Sequence, residues 1–107
     1  MINIFSNIDF RDGKLSTNKA ILLSDTPLED QKQHLFEDIL QITYKKCTLD
    51  IGWYFEDFEI SKDSFFWVRV IVNEDWSNSV FDKKTNNVTE LKKFIEEAIN
   101  LITKQLA

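Results

Sequence analysis

Apolar and polar residues alternate most regularly over residues 47–55, where Leu49, Ile51, Trp53 and Phe55 fall on one side and Thr48, Asp50, Gly52 and Tyr54 on the other. A period of two predicts a half-buried strand. Residues 65–72 alternate as well, Phe66, Val68, Val70 and Val72 against Phe65, Trp67, Arg69 and Ile71. Arg69 is the one polar side chain in that run, so the strand is expected to be central in a sheet or covered on both sides. The nine-residue link 56–64 is long for a hairpin and is expected to protrude. Asn73-Glu74-Asp75 turns the chain, and Val80-Phe81 is expected to add a short strand.

Two stretches repeat with the helical period. Thr26-Pro27-Leu28-Glu29 offers an N-cap hydroxyl, a proline at the first helical position and a glutamate three residues after the cap. Leu28, Leu35, Phe36, Ile39 and Leu40 follow as a stripe, with Glu29, Asp30, Lys32, Glu37 and Asp38 off it, which predicts a core-facing helix to about residues 43–46. A second cap, Asn87-Val88-Thr89-Glu90, precedes the stripe Leu91, Phe94, Ile95, Ala98, Leu101, Ile102 and Leu106. Before the first helix, Ile2, Ile4, Ile8 and Phe10 alternate loosely, Asp12-Gly13 signals a turn, and Ala20-Ile21-Leu22-Leu23 is a short apolar run. Two strands, or a strand and an extended arm, are expected there. The elements add up to an α+β fold: an antiparallel sheet of three to five strands with two amphipathic helices packed on one face.

Length and composition narrow the class. A chain of 107 residues with 43% hydrophobic and 29% charged residues is expected to form one globular domain. Two glycines and one proline argue for short loops and against a Gly-rich phosphate cradle. The absence of a long apolar run, a start unlike a signal peptide and a lone cysteine lead to the expectation of a soluble cytoplasmic protein with no membrane contact.

The formal net charge of −5 is one segment. Residues 50–82 hold eight acids (Asp50, Glu56, Asp57, Glu59, Asp63, Glu74, Asp75, Asp82) against Lys62 and Arg69, while the rest of the chain has ten acids and eleven bases. That balance speaks against direct nucleic-acid binding, which needs clustered Lys and Arg, and for a basic partner.

Catalytic chemistry is poorly supplied. His34 and Cys47 are the only residues of their kinds, thirteen residues apart on and after the expected helix, too far apart to form a nucleophile–base pair. Two such side chains cannot make a zinc site. Glu56, Asp57, Glu59 and Asp63 leave open a hard-metal site or a metal-dependent enzyme, although Phe58, Ile60 and the lack of glycine break the pattern of a calcium loop. No catalytic residue, metal or cofactor is assigned. The same acids, interleaved with Tyr54, Phe58, Trp67 and Trp76, suit a protein-binding surface in which charge steers and aromatics anchor. Glu56, Asp57, Glu59, Asp63, Glu74 and Asp75 are the candidates for charge complementarity, Phe58 and Trp76 for anchoring. A homo-oligomeric scaffold domain is the third class that fits.

Leu49-Asp50-Ile51-Gly52-Trp53-Tyr54, the acidic link, Phe66-Trp67-Val68-Arg69-Val70-Ile71 and Glu74-Asp75-Trp76 resemble small bacterial immunity proteins encoded beside polymorphic toxins, including those of contact-dependent growth inhibition. The resemblance spans residues 49–106. Where the family run continues with proline, Phe55 stands here, which leaves the toxin type open. The resemblance implies a cytoplasmic protein, not an enzyme, that binds and neutralises the C-terminal domain of one cognate toxin, often a basic nuclease and foremost a ribonuclease.

Overall fold

The structure, a computed structural model, describes residues 2–16, 20–54 and 64–106. Five strands run β1 (Lys14–Leu15), β2 (Leu40–Thr43), β3 (Cys47–Tyr54), β4 (Phe65–Val72) and β5 (Ser79–Thr85), followed by one α-helix, α1 (Val88–Leu101). The sheet order is β1-β2-β3-β4-β5, antiparallel throughout, so every strand lies beside its neighbour in sequence. The α+β class expected from the sequence is the one observed, with one long helix in place of two.

β3 and β4 form the centre, paired without a break from Cys47↔Val72 to Tyr54↔Phe65. Side chains alternate across this ladder, so Leu49, Ile51, Trp53, Phe66, Val68 and Val70 share one face and are buried. α1 covers that face. Asn87 caps it by accepting from the Glu90 N–H (2.9 Å), as its sequence predicts, and Leu91, Ile95, Ala98, Ile99 and Ile102 face the sheet. The buried stripe includes Ile99, which the predicted stripe omits, while Phe94 packs at its margin. Beyond Leu101 the helix widens into a π turn, Ile102–Leu106. Among the described residues no helix is long and apolar enough to cross a membrane.

The helix expected from Thr26 to residues 43–46 is not formed. A 3-10 helix, Leu28–His34, takes its first part, with Pro27 rather than Thr26 at the N-cap and a non-helical Gln31 inside. Gln31 is fully buried: its Nε2 donates to Leu23 O (3.0 Å) and Thr26 O (2.8 Å), and its Oε1 accepts from the Leu23 N–H (2.8 Å). A buried amide that satisfies three backbone groups fixes the turn in a shape an α-helix cannot share. Farther on, Leu40 and Ile42 turn inward opposite Ile51 and Leu49, so sheet pairing overrides a local helical pattern. Phe36, placed on the core stripe by sequence, is 55% exposed.

The N-terminal alternation is also not a strand. Ile4–Asn7 is a 3-10 turn that buries Ile4 and Phe5. Asn3 pins it, donating to Ala20 O (2.9 Å) and accepting from the Leu22 N–H (3.0 Å). The short strand expected at Val80-Phe81 extends over the whole of β5.

Residues 36–39 cross β3 at Gly52, with the Trp53 N–H donating to Phe36 O (2.7 Å) and the Ile39 N–H to Ile51 O (3.0 Å). A Cβ at Gly52 would lie 2.0 Å from the Glu37 carbonyl oxygen, a backbone atom that cannot swing aside. Gly52→Ala is therefore expected to cost about 1–3 kcal/mol through forced backbone displacement. Urea unfolding measures it; a loss below about 0.5 kcal/mol, the range of an ordinary surface substitution, would refute this reading of the crossing.

Candidate interaction face

The alternation that buries one side of β3 and β4 presents Asp50, Gly52 and Tyr54, opposite Arg69, Trp67 and Phe65, on the other. Extending the rows gives Gln41, Asp50, Arg69 and Asp82 across four strands, then Gly52, Trp67 and Lys84 across three. Among the described residues, the backbone crossing near Glu37 and the Trp76 ring both lie over this side of the central strands.

An ion pair lies at its centre. Asp50, its side chain 2% exposed, accepts from Arg69 Nη2 (2.9 Å) on Oδ2 and from Gln41 Nε2 (3.1 Å) on Oδ1. Arg69 Nη2 also donates to the Tyr54 hydroxyl (3.1 Å). The guanidinium lies 3.9 Å from the Trp67 ring centre and 5.8 Å from that of Trp76, so two tryptophans flank one cation. Arg69 Nε is buried with no hydrogen-bond partner among the described residues, and the stacking on Trp67 is its compensation. Trp67 in turn donates its indole N–H to Asp82 (2.6 Å), and Lys84 Nζ lies 4.6 Å from the same ring. Tyr54, Phe65 and Trp67 are in mutual contact, with centroids 5.3–6.1 Å apart.

Of the expected site residues, three are among those described. Glu56, Asp57, Phe58, Glu59 and Asp63 lie outside the described residues. Glu74, Asp75 and Trp76 lie on the β4–β5 turn, where Asn73 and Glu74 both take left-handed backbone angles (φ 53° and 61°). Trp76, 48% exposed, joins the face through Arg69, in keeping with an anchor. Glu74 does not: it shares a surface groove of ≈ 410 Å³ with Lys45 and Lys46 of the β2–β3 turn, so that end of the sheet is of mixed sign. Asp75 is engaged locally with Ser77 Oγ (2.6 Å). Asp50 is neutralised by Arg69 and cannot steer a partner.

The sequence reading placed Tyr54 and Trp67 among the interleaved aromatics without assigning them to the site. Asp82 counts in the sequence only as one of the acids of residues 50–82, and Arg69 and Lys84 are not among the expected site residues; the isolated polar position in β4 is the signal that points to Arg69. Glu37 and Asp38, expected on a helix surface, add negative charge beside Tyr54: the phenol is pushed above its ordinary 10.0 by burial, then by Asp50, Asp38 and Glu37, against the opposing pull of Arg69. No three His, Cys, Asp or Glu side chains among the described residues could hold a metal ion.

Removing Arg69 leaves Asp50 charged, buried and unpaired. Arg69→Met is expected to lose about 3–5 kcal/mol, whereas Asp50→Leu combined with Arg69→Met loses less than either substitution alone. A double-mutant cycle by urea unfolding measures this; additive losses would refute the pairing. The two tyrosines give a second check. Tyr44 donates to Phe10 O (2.8 Å) and burial pushes its pKa up to about 12, with Cys47, Asp9 and Asp12 adding to the rise. Both native phenols therefore stay neutral where unfolded ones ionise. Their contribution to stability is complete below pH 10 and is lost as pH rises through the raised native values, about 12 for Tyr44. Absorbance titration should show no native tyrosine ionising at 10.0; one that does would contradict the burial of both rings.

No protein-family model, curated protein or solved structure matches the chain.

Proposed function

We propose that this is a non-enzymatic immunity protein that binds and neutralises the C-terminal domain of a cognate toxin, a basic nuclease and foremost a ribonuclease. The observation that carries the reading is the sheet face opposite α1, where Tyr54, Phe65, Trp67 and Trp76 gather around a fixed Arg69–Asp50 pair. Large aromatics held by neighbours lose little freedom on binding and make good anchors.

Charge favours a basic partner. Glu37 and Asp38 on one side and Asp75 and Asp82 on the other have no ion pair with a described Lys or Arg. Glu56, Asp57, Glu59 and Asp63, outside the described residues, add four acids to the chain between Tyr54 and Ser64. Negative groups at the rim of an aromatic patch speed encounter with a cationic cleft and compete there with phosphate. The resemblance of residues 49–106 to immunity proteins names the class of partner; the face supplies the means of binding it.

Co-expression with the toxin domain encoded beside this protein is expected to rescue growth, and calorimetry is expected to show tight, salt-sensitive binding. Removing one partner of a desolvated charge pair costs about 2–5 kcal/mol, so reversing Glu56, Asp57 and Asp75 to lysine should weaken the complex by about a thousandfold or more and flatten its salt dependence. Unchanged affinity and unchanged salt dependence in that triple variant would remove this face from the interface.

A further inference from the structure

β5 is the last strand of the sheet. It pairs with β4 along one side, and among the described residues no strand pairs along the other. An open edge of seven residues exposes unpaired N–H and C=O groups at alternate positions, a template for another strand. Lysines commonly guard such edges, and Lys83 and Lys84 would do so if they stood alone. They do not. Asp82 precedes them, on the outer face with Lys84: Asp82 receives the Trp67 indole N–H, and Lys84 stacks on the same ring. Lys83 points the other way, its Nζ 6.0 Å from the Phe94 ring of α1.

We propose that the occupant of this edge is the β5 edge of a second copy of the chain, joined antiparallel about a two-fold axis normal to the sheet. Such an axis keeps each face on the same side in both copies, so outer-face residues can only meet outer-face residues. Three registers bring the charged part of β5 into the seam. Centring on Asp82 sets Asp82 against its own copy, and centring on Lys84 sets lysine against lysine. Centring on Lys83 places Asp82 of each copy opposite Lys84 of the other, twice over by symmetry. Opposite charges across a strand pair stabilise it and like charges destabilise it, so the third register is selected. Its cost is Lys83 opposite Lys83, reduced because each ammonium is drawn along its own helix towards Phe94. The two sheets then become one, with the aromatic faces side by side. This interface shares Asp82 and Lys84 with the margin of the proposed toxin-binding face, and the two are tested apart: self-association on the chain alone, toxin binding by calorimetry.

Sedimentation velocity over a concentration series is expected to show a rise from the 12.7 kDa chain towards twice that mass. Lys84→Asp, which places two pairs of acids in register, should raise the dissociation constant about tenfold or more, and Asp82→Lys combined with Lys84→Asp should restore it. Circular dichroism checks that each variant is folded. Cysteine substitution gives an independent reading: directly opposed residues in antiparallel strands have Cα atoms about 4.5–5.5 Å apart, within disulfide range. Mild oxidation of Lys83→Cys should give a covalent dimer, while Val80→Cys should not, with the native Cys47 buried in both. A wild-type chain that stays monomeric at millimolar protein, a Lys84→Asp variant that associates as well as wild type, or equal cross-linking at positions 80 and 83 would each overturn the proposal.

Discussion

A slip of one residue between β3 and β4 would turn one strand over relative to the other, setting Asp50 opposite Val68 or Val70 and carrying either Asp50 or the Trp67–Arg69 row into the core. The register from Cys47↔Val72 to Tyr54↔Phe65 is therefore the constraint on which both faces of the molecule depend. Apolar burial under α1 sets it from one side, with Ile51, Val68, Phe66 and Val70 all fully covered. The Asp50–Arg69 pair marks it from the other, since the two charges oppose each other only in this register. Burying an ion pair is at best a small net gain, but separating one is costly, so the pair penalises misregistered sheets more than it strengthens the correct one.

From that register follows the division of labour between the faces. One is apolar and closed by a helix. The other holds partly exposed aromatics around a guanidinium whose Nη2 is held by Asp50 and Tyr54 and which lies against the Trp67 ring. Trp67 is fixed twice, by its indole bond to Asp82 and by the cations near its ring. Side chains so constrained present a nearly preformed surface, which is what the proposed toxin-binding role asks of a small domain. Gly52 contributes by absence: without a Cβ it lets the chain near Glu37 cross β3 closely and brings two acids beside Tyr54.

β3, β4 and α1 were legible in the sequence because their periods are long and their capping signals local. Residues 26–46 were misread for a physical reason. The cap-like Thr26-Pro27-Leu28-Glu29 does start a helical turn, but nothing local announces that Gln31 will be buried or that Leu40–Thr43 will pair with β3. Both are long-range facts. The same holds for the face: Trp76 stood out in an acidic turn, whereas Arg69 could be matched with Asp50 only once the register was known. Strands ending at residues 55 and 65, as the alternation suggests, would pair Asp50 with Val70; the observed pairing of Tyr54 with Phe65 brings it to Arg69. A nine-residue link leaves that single step open, and one step exchanges the faces.

The three tryptophan indoles report on whether the proposed partner docks on the side of the sheet away from α1. Trp53 is buried among core residues, while Trp67 and Trp76 flank Arg69 on the other side. In a nitrogen–proton NMR titration with the proposed partner, a cognate toxin domain, the indole signals of Trp67 and Trp76 should shift or broaden strongly and that of Trp53 should stay nearly in place. Saturable binding that leaves Trp67 and Trp76 unmoved would contradict the account.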